Sequence, residues 1–404
     1  MTESLKPRLR ADLEILVAEA DGERLLLVRD PDVLAVDMTQ FGIGVLPILK
    51  YFDGHHSLED IRTEFARQGA GFLEERQLET LVQVLDQALL LDNESYRAEK
   101  RERDDFLASP VRPAAHAGAA YPEAAAPARQ FLQEMLEQAD ERPAAPLKRL
   151  IAPHIDLRLG SEVHAHAHRC LAAASRPDVV VVLGVRHGCA QERFIACRKD
   201  FATPLGMVRH DAPLLDRIEE RLGKTLTDGQ IAHRGEHSVE FQALWLAHHW
   251  PDDPPTMVPL LVGSFQDLIE ERALPSTNPE VEAFVSALGD AIAADPRDIC
   301  VVASVDLAHV GPIYEDPDGL DEAGEQLLEE LDRAALTHIE AGDADGFFQS
   351  VAADRNARHI CGVAPVYVTL RLGRGGGELL RYGQGRIHPE SGSVVSYAAV
   401  SFPE

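Results

Sequence analysis

Four short phrases place histidine where it could do chemistry. His154 follows the apolar run at 150–152 in PHID, and His187 follows the run at 179–184 in GVRHG. His309 closes SVDLAH, which also carries Asp306, just after the run at 299–304. A fourth phrase, HRGEHSVE, brings His233, Glu236, His237 and Glu240 to the start of a helical stretch. Neutral imidazole is a nitrogen donor for metals and a proton carrier near neutral pH, and carboxylates complete or orient such sites. One histidine at a strand end is commonplace and is usually a satisfied structural residue. Several at the same edge of one sheet point to a shared site.

The elements that must position these residues can be read from apolar runs. Segments 150–152, 179–184, 257–263 and 299–304 are short and rich in β-branched residues, and helical patterns lie between them near 161–175, 238–249 and 280–294. Fully apolar strands separated by helices predict an α/β domain, an open, mostly parallel sheet covered by helices on both faces. Ligands of such sheets bind at the carboxyl ends of the strands, where the histidines fall. Residues 393–402 read as one more strand, antiparallel to the others.

The first hundred residues read as a separate module over 1–95. Apolar runs at 13–17 and 24–28 flank Asp21-Gly22, which suits a tight hairpin. A helical stretch through Val45, Leu46, Ile48 and Leu49 stops at Asp53-Gly54, Ser57 with Asp60 looks like a helix-starting cap, and Leu78, Leu81, Val82, Leu85 and Leu89 repeat at helical spacing. Hairpin plus three helices is a small α+β, winged-helix-like outline. His55-His56 reads as a solvated turn. Residues 96–111 read as a charged linker around RAEKRERDD, and 112–404 as the second domain.

Composition narrows the partners. With 39 Lys+Arg against 67 Asp+Glu the formal charge is −28, which repels phosphate backbones and anionic lipid and argues against nucleic acid or membrane. Residues 1–10 lack the apolar core of a secretion signal, and no apolar run is long enough to span a bilayer. The cysteines (Cys170, Cys189, Cys197, Cys300, Cys361) are odd in number with no CxxC pair, which suits reduced thiols in a cytoplasm. Cys300 and Cys361 read as core thiols. Three further patterns carry less. HRGEH fits the H-x-x-E-H zinc-protease pattern, but Gly235 disfavours a helix there. RHG fits the histidine-phosphatase pattern without evident partner arginines. On a helix, His164 and His168 of EVHAHAHRC share a face and read as packing or surface residues.

As an ordered set, RPAAHAGAAYP (112–122), PH, GVRH, TPLG (203–206), EHSVEFQ, SVDLAH, Cys361-Gly362 and SYAAV resemble the Memo-like family, whose bacterial members are called AmmeMemoRadiSam system protein B. The resemblance covers 112–404. It implies the fold of the class III extradiol ring-cleaving dioxygenases and an iron or copper ion held by His154, His187 and a third group in the SxDxxH segment. That family's animal protein has a cysteine there where this chain has Ala308, so His309, Asp306 or water is left as the third ligand. Asp156 stands where the family has glycine. The resemblance gives His237 a polar or acid–base role, with Glu236 or Glu240 orienting it. It implies a non-haem metal-dependent oxidoreductase or, alternatively, a non-catalytic binding protein, in company with radical-SAM and AMMECR-type proteins. ILKYFDGHHSLEDI and its surroundings resemble PqqD-like domains, which implies a peptide bound along the hairpin edge.

Overall fold

Two strands of seven residues begin the architecture, in the computed structural model that describes residues 5–403 apart from 21, 32–37, 70, 144, 189–191 and 389. The chain divides into two units, Met1–Ala108 and Ser109–Glu404. In the first, β1 (Glu14–Ala20) and β2 (Glu23–Arg29) pair antiparallel with Ala20 opposite Glu23. Gly22 takes φ 80°, a left-handed conformation that a two-residue hairpin turn asks of glycine. A third strand, β3 (Met38–Gly42), joins β2. The sequence did not signal it, because MTQFG is polar at alternate positions and half-buried at best. Helices α1 (Leu46–Leu49), α2 (Leu58–Arg67) and α3 (Glu75–Gln87) pack Ile48, Ile61, Leu78 and Leu85 against Leu26 and Val28. The cap at Ser57 is a full capping box: its Oγ accepts Asp60 N at 3.2 Å, and Asp60 accepts Ser57 N at 2.9 Å. The charged stretch is helical, as α4 (Glu94–Ala108). Its Glu, Lys, Arg and Ala are strong helix formers, so it needs no apolar stripe, and only Phe106 is buried.

The second unit runs β4 (Val111–Arg112), α5 (Ala125–Leu136), β5 (Arg149–Ala152), α6 (Ser161–Ala173), β6 (Val179–Val185), β7 (Phe194–Ala196), β8 (Asp200–Thr203), β9 (Gly206–Val208), α7 (Ala212–Leu222) and α8 (His237–His249). It continues through β10 (Thr256–Val262), α9 (Gln266–Glu271), α10 (Pro279–Ala293), β11 (Ile299–Ser304), β12 (His309–Val310), α11 (Glu322–Glu340), α12 (Ala344–Ala352), α13 (Val363–Arg371), β13 (Glu378–His388) and β14 (Ser393–Phe402). The main sheet has the order β12-β14-β5-β11-β6-β10-β7, with β13 on β14. Its centre, β5-β11-β6-β10, is parallel, and the flanking strands are antiparallel, β14 among them. Among the described residues no helix is long and apolar enough to cross a membrane.

The apolar runs read as strands because both faces of the sheet are covered. Along β6, Val179, Val181, Leu183 and Val185 enter one core and Val180 and Val182 the other, the period-two alternation of a strand buried on both sides. In register, Ser304 lies beside Ala152 and Val262 beside Val185, so the parallel strands end together. Gly184 lets α8 lie close on β6: a Cβ there would meet Ser238 Oγ at 2.5 Å and Val239 Cγ2 at 2.8 Å. Gly184→Ala should therefore destabilise the unit by about 1–3 kcal/mol, the usual cost of overpacking. A thermal midpoint equal to wild type would show that α8 can shift freely.

Candidate metal centre

The loop after β5 carries His154 into the molecule, and a carboxylate fixes it there. Asp306, two residues beyond the end of β11, accepts the backbone N–H of His154 and of Ile155, each at 3.1 Å. His154 Nδ1 lies 2.8 Å from the carbonyl of Ser304. A carbonyl only accepts, so Nδ1 holds the proton and Nε2 keeps its lone pair. That Nε2 is 3.6 Å from Cys361 Sγ and 3.5 Å from Asp306 Oδ2.

His187 follows β6 and is oriented by α8. Glu236 is the N-cap residue of α8, its Oε1 accepting Ser238 N at 2.8 Å. The same carboxylate lies 3.0 Å from His187 Nδ1, which leaves His187 Nε2 as the free donor, a common support for metal-binding histidine. His237, the first residue of α8, completes a triangle: the rings of His154, His187 and His237 lie 5.0 Å apart pairwise. Cys361 reaches the cluster through its neighbour. A Cβ on Gly362 would meet the Asp306 carbonyl oxygen at 2.6 Å and Val305 Cβ at 2.8 Å, so only glycine lets the thiol come this close.

Charge at the centre is set by burial and by Glu236. Burial, then the neighbouring His237 and His187, holds His154 well below the usual histidine range. Burial disfavours the charged form of His187, but Glu236 outweighs it and raises the group. Burial would raise Glu236, yet His187 holds it well below the usual carboxylate range. Burial lowers His237 to about 4, raises Asp306 to about 7 and pushes the Cys361 thiol up.

Among the described residues two donor sets emerge, each with its ligand atoms within 4.8 Å of one another: His154, His187 and Cys361, and His187, Glu236 and His237. Two imidazoles and a thiol that a cation would deprotonate suit iron, copper or zinc. Metal bonds of roughly 2.3 Å to sulfur and 2.0 Å to nitrogen put tetrahedral ligand atoms about 3.5 Å apart. The separation of Cys361 Sγ and His154 Nε2, 3.6 Å, fits that edge.

The structure thus brings His154, His187, His237, Glu236 and Asp306 together, adds Cys361, and leaves two other candidates aside. His309 belongs to neither donor set: its Nδ1 faces Leu307 O at 3.1 Å and its ring packs on Tyr314 at 5.1 Å. Glu240 spends its oxygens on Arg112, on Tyr121 Oη and on the backbone N–H of Ala115 at 3.0 Å and His116 at 2.9 Å. The HRGEH pentad does not form the helical turn a zinc protease needs. His233 ends a 3-10 segment, Gln230–His233, and its Nε2 meets Ile195 O at 3.1 Å, while His237 opens α8. His164 and His168 are buried packing residues on α6.

The RPAAHAGAAYP phrase contributes a positioning residue, Arg112. Its Nε donates to His233 O at 3.0 Å and its Nη2 to Glu236 O at 2.9 Å, which holds the loop delivering Glu236 and His237.

The family model described as Memo-like protein matches residues 112–401. A MEMO1 family protein of Aquifex aeolicus (strain VF5) is 28% identical over 386 residues, covering 93% of this chain and 95% of its own, a span that extends into the first unit. A MEMO1 family protein of Thermus thermophilus is 29% identical over 262 residues, covering 64% of this chain and 73% of its own. Another, of Methanopyrus kandleri, is 28% identical over 263 residues, covering 63% and 82%.

Proposed function

The chain belongs to the Memo-like family through residues 112–401, and on that premise we propose that it is a metal-dependent redox protein whose ion is held by His154, His187 and Cys361. The observation that carries this reading is the convergence of those three donor atoms within 4.8 Å at the carboxyl ends of β5 and β6. Iron or copper bound there supplies one-electron chemistry and a Lewis-acid centre.

The surrounding residues have separable tasks. The Ser304 carbonyl and the Glu236 carboxylate hold the two imidazoles in the tautomer that presents Nε2. Asp306 fixes the His154 loop through two backbone N–H groups. His237, lowered to about 4 by burial, is neutral at pH 7 and can take a proton from a group bound beside it, with Glu236 Oε1 3.3 Å from its Nδ1.

Elemental analysis of the full chain, purified untagged and without chelators, tests the reading. At least one iron or copper per chain is expected, with about one equivalent or more lost in each of His154→Ala, His187→Ala and Cys361→Ser. An unchanged content in these variants, or no uptake by wild type after anaerobic loading with Fe(II) or Cu(I), would sink it.

A further inference from the structure

We propose that the chain holds a second divalent cation next to the first, between His187, Glu236 and His237, with the His187 ring shared by the two positions. The sharing rests on the reading of the first position; the second donor set stands on its own geometry. His187 Nδ1 lies 3.0 Å from Glu236 Oε2, and His237 Nδ1 lies 3.3 Å from Glu236 Oε1. Bonds of roughly 2.0–2.2 Å to nitrogen and oxygen set tetrahedral ligand atoms about 3.4 Å apart, so the three side chains already stand near ligand spacing. The His187 ring is 5.0 Å from both His154 and His237, with Nδ1 on the Glu236 side and Nε2 as its remaining donor.

A second observation concerns charge. The side chain of Glu236 is only 5% exposed, yet among its described contacts the carboxylate meets two imidazoles and the backbone N–H of His187 and Ser238, and no Lys or Arg. Arg112, which also contacts this loop, bonds the Glu236 carbonyl instead and pairs with Glu240. A buried carboxylate without a permanent cation is costly, and it draws either a proton onto His187 or a metal ion into the same place. The two imidazole side chains are 38% and 32% exposed, so an ion can reach the carboxylate from solvent.

The two positions differ in chemistry. A thiolate makes the first soft, whereas a carboxylate oxygen with two nitrogens suits Zn(II), Fe(II) or Mn(II). Filling the second displaces the proton from His187 Nδ1. With both filled, that proton leaves to solvent and His187 bridges as imidazolate.

The full chain saturated with Zn(II), freed of excess and counted by elemental analysis, decides the matter. Two zinc ions per chain are expected in wild type, and one each in Glu236→Gln, His237→Ala and Cys361→Ser. Glutamine keeps the helix-capping acceptor, and the two second-position variants guard against either one misfolding. If Glu236→Gln and His237→Ala both keep the wild-type count, the second position does not exist, and a loss in Cys361→Ser alone leaves the first reading standing. A single zinc lost in all three variants would also overturn the proposal, since one ion would span both sets. Cys361→Ser at the full wild-type count would instead remove the first reading and leave the second intact.

Discussion

Arg112→Met is expected to destabilise the second unit by about 3–5 kcal/mol, the cost of breaking a fully buried ion pair. Arg112 and Glu240 have 0% and 1% side-chain exposure. The guanidinium also donates to the carbonyls of Pro113 at 2.9 Å, His233 at 3.0 Å and Glu236 at 2.9 Å, and it stacks 5.3 Å from the Phe201 ring. Burial would raise the Glu240 carboxyl, but Arg112 and Tyr121 hold it below the usual range. Methionine fills the volume but leaves that carboxylate with neutral donors only. Because a folded domain is stable by only about 5–15 kcal/mol, the loss is a large share of the whole. At about 2–4 °C per kcal/mol for a unit of this size, the thermal midpoint should fall by roughly 10 °C. Arg112→Met with Glu240→Leu removes the orphaned charge and should recover part of the loss. A midpoint within a degree or two of wild type for Arg112→Met would mean the pair contributes nothing net.

That pair also marks where reading the sequence stops. Arg112 opens the RPAAHAGAAYP phrase and Glu240 sits in EHSVEFQ, 128 residues apart, and nothing in local pattern says that they meet. What was legible came from period and position. The strands at 179–185 and 299–304 show as apolar runs because both faces of β6 and β11 are covered. His154 and His187 show because they stand at the ends of such runs. The family resemblance points to the SxDxxH segment for a third donor, whereas among the described residues it is the Cys361 thiol that lies with the donor atoms of His154 and His187. With Ile360 before it and Val363 two residues on, Cys361 reads as a core thiol, and its contact with His154 spans 207 residues. The usable signal was Gly362, since an adjacent glycine is what a close backbone approach requires. Helix α4 and strand β3 were missed for the opposite reason. Both are held by propensity or by pairing to a neighbour, and neither presents a clear apolar face.

Acid should destabilise the second unit well above the pH at which most carboxylates titrate. His164, His168 and His233 are all 0% exposed, and burial lowers His164 and His233 to about 4 and holds His168 well below the usual histidine range. Neither ring nitrogen of His168 meets a hydrogen-bond partner among the described residues, so nothing there offsets the cost of charging it. The sign follows from which state takes protons first. An unfolded chain protonates histidine near pH 6.5, while these three stay neutral in the fold until far lower, so their contribution is complete above pH 6.5 and is lost as pH falls towards 4. Between pH 7 and 5 each histidine loses about 2 kcal/mol at most, roughly 5 kcal/mol for the three. His248 and His249, lowered by burial to about 4 and 3, act in the same direction. Asp306 opposes them: burial raises it to about 7, so the folded chain binds a proton there before the unfolded chain does. That offset is about 2 kcal/mol over the same interval, and the histidines outweigh it. Urea midpoints at pH 7, 6 and 5 should therefore fall steadily, and His164→Gln should flatten the slope by about one proton's worth. Equal midpoints at pH 7 and 5 would mean that these imidazoles are already charged in the fold, or that water reaches them.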